Sequence, residues 1–303
     1  MVACVPALFG HTLGTSHLDL DKALELFASV GLDGAEVIWQ DGYRSGLAEG
    51  DLEQARRIRR QARDLGLSIG CLTPYISGIN SLDDAERERD VGRFLECLRT
   101  AELLQCPLVR VYAGEALESD RFGANVRWRW LVDSLARLAD VASESGVVLA
   151  VENHFNTMTV SARDTARLVN EVASGAVGAL YDQANLAFTH CEPFEEAIEV
   201  QKGLIRHVHI KDLIFVDETK TFVAGSDVSR VDVAERAVRS RVIGDGTLDW
   251  PAIIRRLNEV GYKGPYSFEY EYRWHPQDLP DPEEGFATSV IRMRRILESV
   301  IAT

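Results

Sequence analysis

Four short apolar runs in the second half of the chain end in groups that can hold a cation or move a proton. They are Val151-Glu152-Asn153-His154, Tyr181-Asp182-Gln183-Ala184-Asn185, His207 to Lys211, and Phe268-Glu269-Tyr270-Glu271. In the third, His207, His209 and Lys211 alternate, so an extended backbone places all three on one face. Carboxylates gathered without partners repel one another and are costly to bury. A divalent cation removes that cost. Oxygen-rich ligation with one imidazole favours Mn²⁺ or Mg²⁺, admits Co²⁺ and disfavours Zn²⁺. Taken singly, the same residues have plainer uses: Asp182 as a helix cap, each glutamate as an ion-pair partner, His207 as a satisfied core histidine. It is their occurrence at four successive run ends that points to metal chemistry.

Such groups converge if the runs are neighbouring strands, and the periodicity supplies that arrangement. Leu20, Ala23, Leu24, Phe27 and Ala28 form a one-faced helical stripe that stops at Gly31 and leads into a strand at Ala35 to Trp39. The alternation continues with helix Leu52 to Leu65 and strand Ser68 to Leu72, then helix Phe94 to Leu104 and strand Leu108 to Tyr112. Helix Leu131 to Ser145 precedes strand Val147 to Val151, and helix Ala162 to Ala173 precedes strand Ala179 to Asp182. Helix Phe194 to Gly203 precedes strand His207 to Lys211, and helix Trp250 to Val260 precedes strand Tyr266 to Tyr270. With a first strand at Val5 to Phe9 and a closing helix from Pro282 to Ile301, there are eight strands, each followed by a helix. Gly-stopped helices that run straight into apolar strands are the pattern of parallel crossovers. Eight of them predict an α/β fold, a single (β/α)₈ TIM barrel occupying residues 1–303 as one domain. In that fold the strand ends and the following loops carry chemistry, which includes the long stretches Glu115 to Arg129 and Leu213 to Arg241.

Composition excludes several classes. The chain has 47 acidic and 33 basic residues, a net charge of -14, which disfavours nucleic acid and anionic membrane surfaces as partners. No G-x-G-x-x-G or G-x-x-x-x-G-K-[ST] pattern occurs, which removes the commonest nucleotide-binding readings. Five scattered cysteines (Cys4, Cys71, Cys97, Cys106, Cys191) form no C-x-x-C pair and are expected to be reduced thiols in a cytoplasmic protein. The first residues lack the basic and apolar regions of a signal peptide, and no apolar run is long enough to span a bilayer.

Six segments, in order and spacing along nearly the whole chain, resemble the xylose isomerase-like barrel superfamily, the sugar phosphate isomerase/epimerase group. They are Gly31-Leu32-Asp33-Gly34-Ala35-Glu36-Val37, Val151-Glu152-Asn153-His154, Asp182-Gln183-Ala184-Asn185, His207-Val208-His209-Ile210-Lys211-Asp212, Ile243-Gly244-Asp245-Gly246 and Tyr262-Lys263-Gly264-Pro265-Tyr266-Ser267-Phe268-Glu269. The group includes ketose 3-epimerases, hydroxypyruvate isomerase, inosose dehydratase and dehydroshikimate dehydratase, with endonuclease IV more distant. The resemblance implies that Glu152, Asp182, His209 and Glu269 are the metal ligands, and that Glu152 and Glu269 also act as an acid/base pair. Two departures matter. Where the epimerases and the endonuclease carry a His three residues after the metal-binding Asp, this chain has Asn185, which weakens a standard ketose epimerase assignment. Before Ile243 there is no Asp-x-His, so one metal ion is expected rather than a cluster.

The expected activity is isomerisation or epimerisation of a ketose or oxo-sugar through a metal-stabilised enediolate. The alternative is a lyase or dehydratase of the inosose or 3-oxo-glycoside type, in which the same enediolate expels a leaving group. A catalytically silent sugar-binding barrel is a third reading, opposed by the presence of both glutamates. Lys211 is a candidate to relay a proton or stabilise an oxyanion, or alternatively to pair with Asp212 or Glu36. His11, Trp39, Tyr112, His154, Asn185 and Arg241 are candidates to contact substrate, with Trp39 offering an apolar plane to a sugar. The Arg127-Trp128-Arg129-Trp130 alternation reads as a lid, a subunit contact, or the start of an amphipathic helix packed on a neighbour. The chain is expected to form a homo-oligomer, a dimer or tetramer. Phosphorylated substrates are not indicated, because Gly244-Asp245-Gly246 is the only short Gly-rich stretch near the last strands.

Overall fold

Runs such as Val148-Leu149-Ala150-Val151 are apolar on both faces, which suits strands covered by helices outside and side chains inside. The computed structural model describes residues 5–116, 123–189, 192–217 and 236–301. Among these residues the strands are β1 (Leu8–His11), β2 (Gly34–Ile38), β3 (Ser68–Thr73), β4 (Leu108–Val111), β5 (Val148–Glu152), β6 (Val177–Asp182), β7 (Ile205–Ile210), β8 (Asp212–Phe215), β9 (Val238–Arg241) and β10 (Tyr266–Phe268). Eight of them close a barrel in the order β1-β10-β7-β6-β5-β4-β3-β2, every neighbouring pair parallel. The fold is a (β/α)₈ barrel, as the alternation predicts. Strands β8 and β9 form a separate antiparallel hairpin with Asp212 opposite Arg241, an element the periodicity does not reveal.

The described helices are α1 (Leu20–Ser29), α2 (Leu52–Asp64), α3 (Asp84–Leu104), α4 (Ala124–Glu144), α5 (Ala162–Val172), α6 (Gln183–Phe188), α7 (Phe194–Val200), α8 (Trp250–Glu259) and α9 (Pro282–Ile301). Gly31, Gly66 and Gly146, just beyond α1, α2 and α4, have φ of 82°, 75° and 66°, the left-handed conformation that ends a helix. Helix α3 starts ten residues earlier than the apolar stripe suggests. Asp83 caps it by accepting the amides of Ala85 (2.8 Å) and Glu86 (3.2 Å), so a polar first turn is stable. The first strand is also displaced, to Leu8–His11 rather than Val5 to Phe9. Pro6 has no N–H to give to a ladder, and the pairing begins at Leu8 opposite Tyr266.

Phe9 fills the lower interior of the barrel. A Cβ on Gly70 would lie 2.0 Å from its ring, so β3 needs glycine there. Arg127 to Trp130 lie in α4, and the two tryptophans contact residues of neighbouring helices. Trp128 donates from Nε1 to Glu171 (2.6 Å) with the Arg167 guanidinium 4.1 Å over its ring, while Arg87 stacks 4.0 Å over Trp130. Residues 117–122 and 218–235, within the two long loops, lie outside the described residues, as do Cys4 and Cys191; Cys71, Cys97 and Cys106 are buried free thiols. Among the described residues, no helix is long and apolar enough to cross a membrane.

Candidate metal centre

Parallel register brings the four strand ends to one height. Asp182 pairs with His209 between β6 and β7, and Ser267 pairs with His209 between β10 and β7, so Glu269 follows two residues on. Glu152 is the last residue of β5. One ligand atom from each of Glu152, Asp182, His209 and Glu269 lies within 4.8 Å of the others, and all four residues are buried. His209 Nδ1 is 3.2 Å from Glu152 Oε1, 3.7 Å from Glu269 Oε2 and 4.0 Å from Asp182 Oδ2.

The arrangement fits a hard divalent cation. Asp182 shows it best, because its two oxygens are used differently. Oδ1 accepts the amide of Asn185 (2.9 Å) and starts α6, so the capping role is real. Oδ2 is buried with no hydrogen-bond donor; Lys211 Nζ stands 3.1 Å away but is poorly aligned to bond it. A buried carboxylate oxygen without a donor, together with two further carboxylates and an imidazole, makes a set of ligand atoms suited to a divalent cation. Burial pushes the Asp182 carboxyl up to about 6, against the pull of Lys211 and with Glu269 and Glu152 adding to the rise.

A buried layer of polar side chains lies beneath the four candidate ligands and holds His209. Glu36 on β2 faces His209 Nε2 at 3.0 Å and His207 Nε2 at 2.8 Å, and accepts from Thr73 Oγ1 at 2.6 Å. With Nε2 engaged by Glu36, the Nδ1 side of His209 faces the cluster. Burial would raise the Glu36 carboxyl, but His209, His207 and His11 together hold it well below the usual range. His207 is therefore a partnered core histidine. His11 is also buried in this layer: Nδ1 accepts the Leu13 amide (3.0 Å), and Nε2 is 3.7 Å from Glu36.

Lys211, just past β7, does not pair with Asp212 or Glu36. Its Nζ lies 2.7 Å from Glu269, 3.1 Å from Asp182 and 3.5 Å from Glu271, a cation among carboxylates. Burial disfavours its charge, yet Asp182, Glu269 and Glu271 hold its pKa well above the ordinary value. Arg110 on β4 is a site residue that sequence reasoning missed. It is almost fully buried, donates from Nε to Glu152 Oε2 (2.6 Å) and is ion-paired to the same oxygen through Nη2. Burial would raise the Glu152 carboxyl, but Arg110 above all keeps it below the ordinary range. The signal was available: an Arg inside an apolar strand of a doubly covered sheet must have a buried partner.

The substrate candidates separate. Asn185 is at the cluster, donating from Nδ2 to Asn153 O (3.1 Å) and lying 3.4 Å from Glu152 Oε1. Tyr112 and His154 lie beside it with ring centroids 5.0 Å apart; Tyr112 donates its hydroxyl to Phe155 O (3.3 Å), and burial brings the His154 imidazole down to about 4. Arg241 sits on β9 and shares a cavity wall with Lys211, Ser240, Glu269 and Glu271. Trp39 is corrected. It is fully buried, donating from Nε1 to Thr100 on α3 (3.2 Å), so its ring packs between barrel and helix rather than facing substrate. Gly244-Asp245-Gly246 is not an open anion nest either, because Asp212 accepts the amides of Gly244 (2.9 Å) and Gly246 (3.2 Å).

Comparison with known proteins accords with this geometry. Over 144 residues the chain is 31% identical to an inosose dehydratase of Geobacillus thermodenitrificans, covering 48% of this chain and 47% of that protein. The chain thus spans about half the length of the curated relatives it matches. Among solved structures, D-psicose 3-epimerase from Clostridium cellulolyticum H10 superposes with a TM-score of 0.75 at 16% identity, covering 96% of this chain and 99% of that one. A xylose isomerase-like TIM barrel protein from Mycobacterium smegmatis in complex with magnesium superposes with a TM-score of 0.71 at 18% identity, covering 97% of each chain. At these identities the structural likeness is one of fold. The xylose isomerase-like TIM barrel family model matches residues 24–296, nearly the whole barrel, and the chain belongs to that family.

Proposed function

We propose that this chain is a metal-dependent enzyme that removes a proton beside the carbonyl of a ketose or oxo-sugar, with Glu152, Asp182, His209 and Glu269 as its metal ligands. The observation that carries the reading is the undonated, buried Asp182 Oδ2 facing two more carboxylates and an imidazole. A divalent ion bound there, Mn²⁺ in the first place and Mg²⁺ next, supplies positive charge that offsets the negative charge growing on the substrate oxygens as the C–H bond breaks. Glu269 is the base that takes the proton. Lys211 Nζ, 2.7 Å from it, holds a proton that can be delivered to a substrate oxygen. Asn185, Tyr112 and His154 near Glu152, and Arg241 on the cavity wall beside Lys211 and Glu269, orient hydroxyl groups. Burial of the ligand set keeps water from competing for the charged intermediate.

Elimination is the outcome this set favours. Loss of a hydroxyl β to the carbonyl needs an acid near the base, and Lys211 provides one; the 31% identity to an inosose dehydratase supports the same reading. Epimerisation or isomerisation is the second reading, supported by the presence of a second glutamate, Glu152, in the same cluster. The test is proton exchange from D₂O on Mn²⁺-loaded protein across inososes, free ketoses and 3-oxo-glucosides. Deuterium incorporation with loss of water or aglycone is expected. Incorporation with no change of formula assigns an isomerase or epimerase, and no exchange on any member overturns the proposal.

A further inference from the structure

Glu152 has two carboxylate oxygens, and Arg110 engages one of them. Oε2 accepts the Arg110 Nε–H at 2.6 Å, and Nη2 of the same guanidinium is ion-paired to it. The guanidinium is itself fixed. Its Nη1 donates to Pro74 O (3.4 Å), and its carbon lies 5.0 Å from the Tyr75 ring centroid and 4.8 Å from that of Tyr112. Oε1 points the other way, 3.2 Å from His209 Nδ1 and 3.4 Å from Asn185 Nδ2. For both oxygens to reach a cation, the carboxylate would have to leave a buried, paired guanidinium without its partner.

We propose that Arg110 is a positioning residue that makes Glu152 a one-oxygen ligand and thereby selects a small divalent cation over a large one. The inference rests on the metal centre proposed above. Mg²⁺ and Mn²⁺ accept six well-placed ligands, whereas Ca²⁺ takes six to eight oxygens and profits from carboxylates that chelate with both. Restricting Glu152 to Oε1 removes one oxygen that Ca²⁺ would use and that the smaller ions do not need. Arg110 also adds positive charge near the site, but that repulsion acts alike on all divalent ions. It therefore cancels in the ratio of two affinities, and the ratio reports the geometry alone.

The test is calorimetric titration of metal-free wild type, R110M and R110K with Mn²⁺ and with Ca²⁺. Wild type is expected to prefer Mn²⁺, R110M to lose about tenfold or more of that preference, in the range typical for groups that orient metal ligands, and R110K, which keeps a donor and the charge, to retain most of it. An unchanged Mn²⁺:Ca²⁺ ratio in folded R110M overturns the inference and leaves the metal centre standing. A wild type that binds neither ion overturns both. A crystal structure of wild type soaked with Mn²⁺ needs no variant to fold: Oε1 alone should contact the ion with Oε2 still on Arg110, and contact through both oxygens refutes the role given to Arg110.

Discussion

Glu36 Oε1 and His209 Nε2 meet at 3.0 Å in the barrel interior, joining β2 to β7, three strands away around the ring, beneath the candidate ligands. The contact turns the Nδ1 edge of His209 toward Glu152, Asp182 and Glu269. E36Q therefore should weaken Mn²⁺ binding by about 10- to 100-fold without removing any ligand. Calorimetric titration of metal-free protein checks this, and affinity equal to wild type would show that His209 is oriented by other means.

The proposed roles of Glu269 as base and Lys211 as acid are separable. E269Q is expected to lower turnover by about 10²- to 10⁴-fold while the protein still binds Mn²⁺. K211M should instead slow elimination more than it slows deuterium exchange, because the acid is lost and the base retained. Equal slowing of both would remove Lys211 from the role of acid.

Metal binding should be proton-linked. Asp182, raised by burial to about 6, and His209, whose pKa the surrounding carboxylates raise against the opposing effect of burial, both hold protons that a cation displaces. Mn²⁺ affinity should fall as the pH is lowered, His209 already contributing above its ordinary range and Asp182 adding below about 6, by up to roughly tenfold per pH unit for each proton displaced. In the metal-free protein the sign is that of a raised carboxyl: Asp182 adds stability below its ordinary value of 3.8, and that contribution is lost as the pH rises through about 6. Affinities measured from pH 5 to pH 8 that do not change would contradict the assignment of these two groups as ligands.

Trp39 supplies a contrast between packing and recognition. W39A should cost about 3–5 kcal/mol of stability, as for other buried large-to-small aromatic replacements, and W39F should leave KM unchanged. Chemical denaturation and steady-state kinetics on the two variants distinguish the roles; a large KM effect in W39F with normal stability would return Trp39 to the substrate site.

Asp212 organises the loop after the hairpin. Its carboxylate accepts four amides, from Leu213 (2.9 Å), Gly244 (2.9 Å), Gly246 (3.2 Å) and Leu248 (3.3 Å). D212A leaves these donors without an acceptor and should destabilise by about 1–3 kcal/mol for each one that water does not reach. G246A should also destabilise, since its Cβ would lie 2.0 Å from Asp212 Oδ1. Urea unfolding at constant m-value measures both.

The barrel was legible because helical stripes, Gly stops and apolar runs are local patterns, and the same patterns put the candidate ligands at strand ends. What escaped depends on pairing across the barrel. Glu36 and Arg110 each look like an isolated charge in an apolar strand, and their partners lie far along the chain, His209 at a separation of 173 residues and Glu152 at 42. Lys211 was legible as a candidate, but its partners were not, because Glu269 and Glu271 reach it from just past the neighbouring strand β10 rather than from its own. Trp39 was misplaced because a residue one step beyond a strand can turn either way, and here Thr100 on α3 captures its indole N–H. Helix α6 is too short to show a period, and its presence follows from the Asp182 cap.

Every candidate ligand comes from β5 or later, while Glu36 and Arg110, which grip His209 and Glu152, come from β2 and β4. Donors and holders thus belong to different halves of the polypeptide. A fragment beginning at β5 would carry the full set of donor atoms with two of the four left to swing freely. Conversely, exchanging the front half for that of a relative could retune which ion is accepted, with each coordinating side chain left in place.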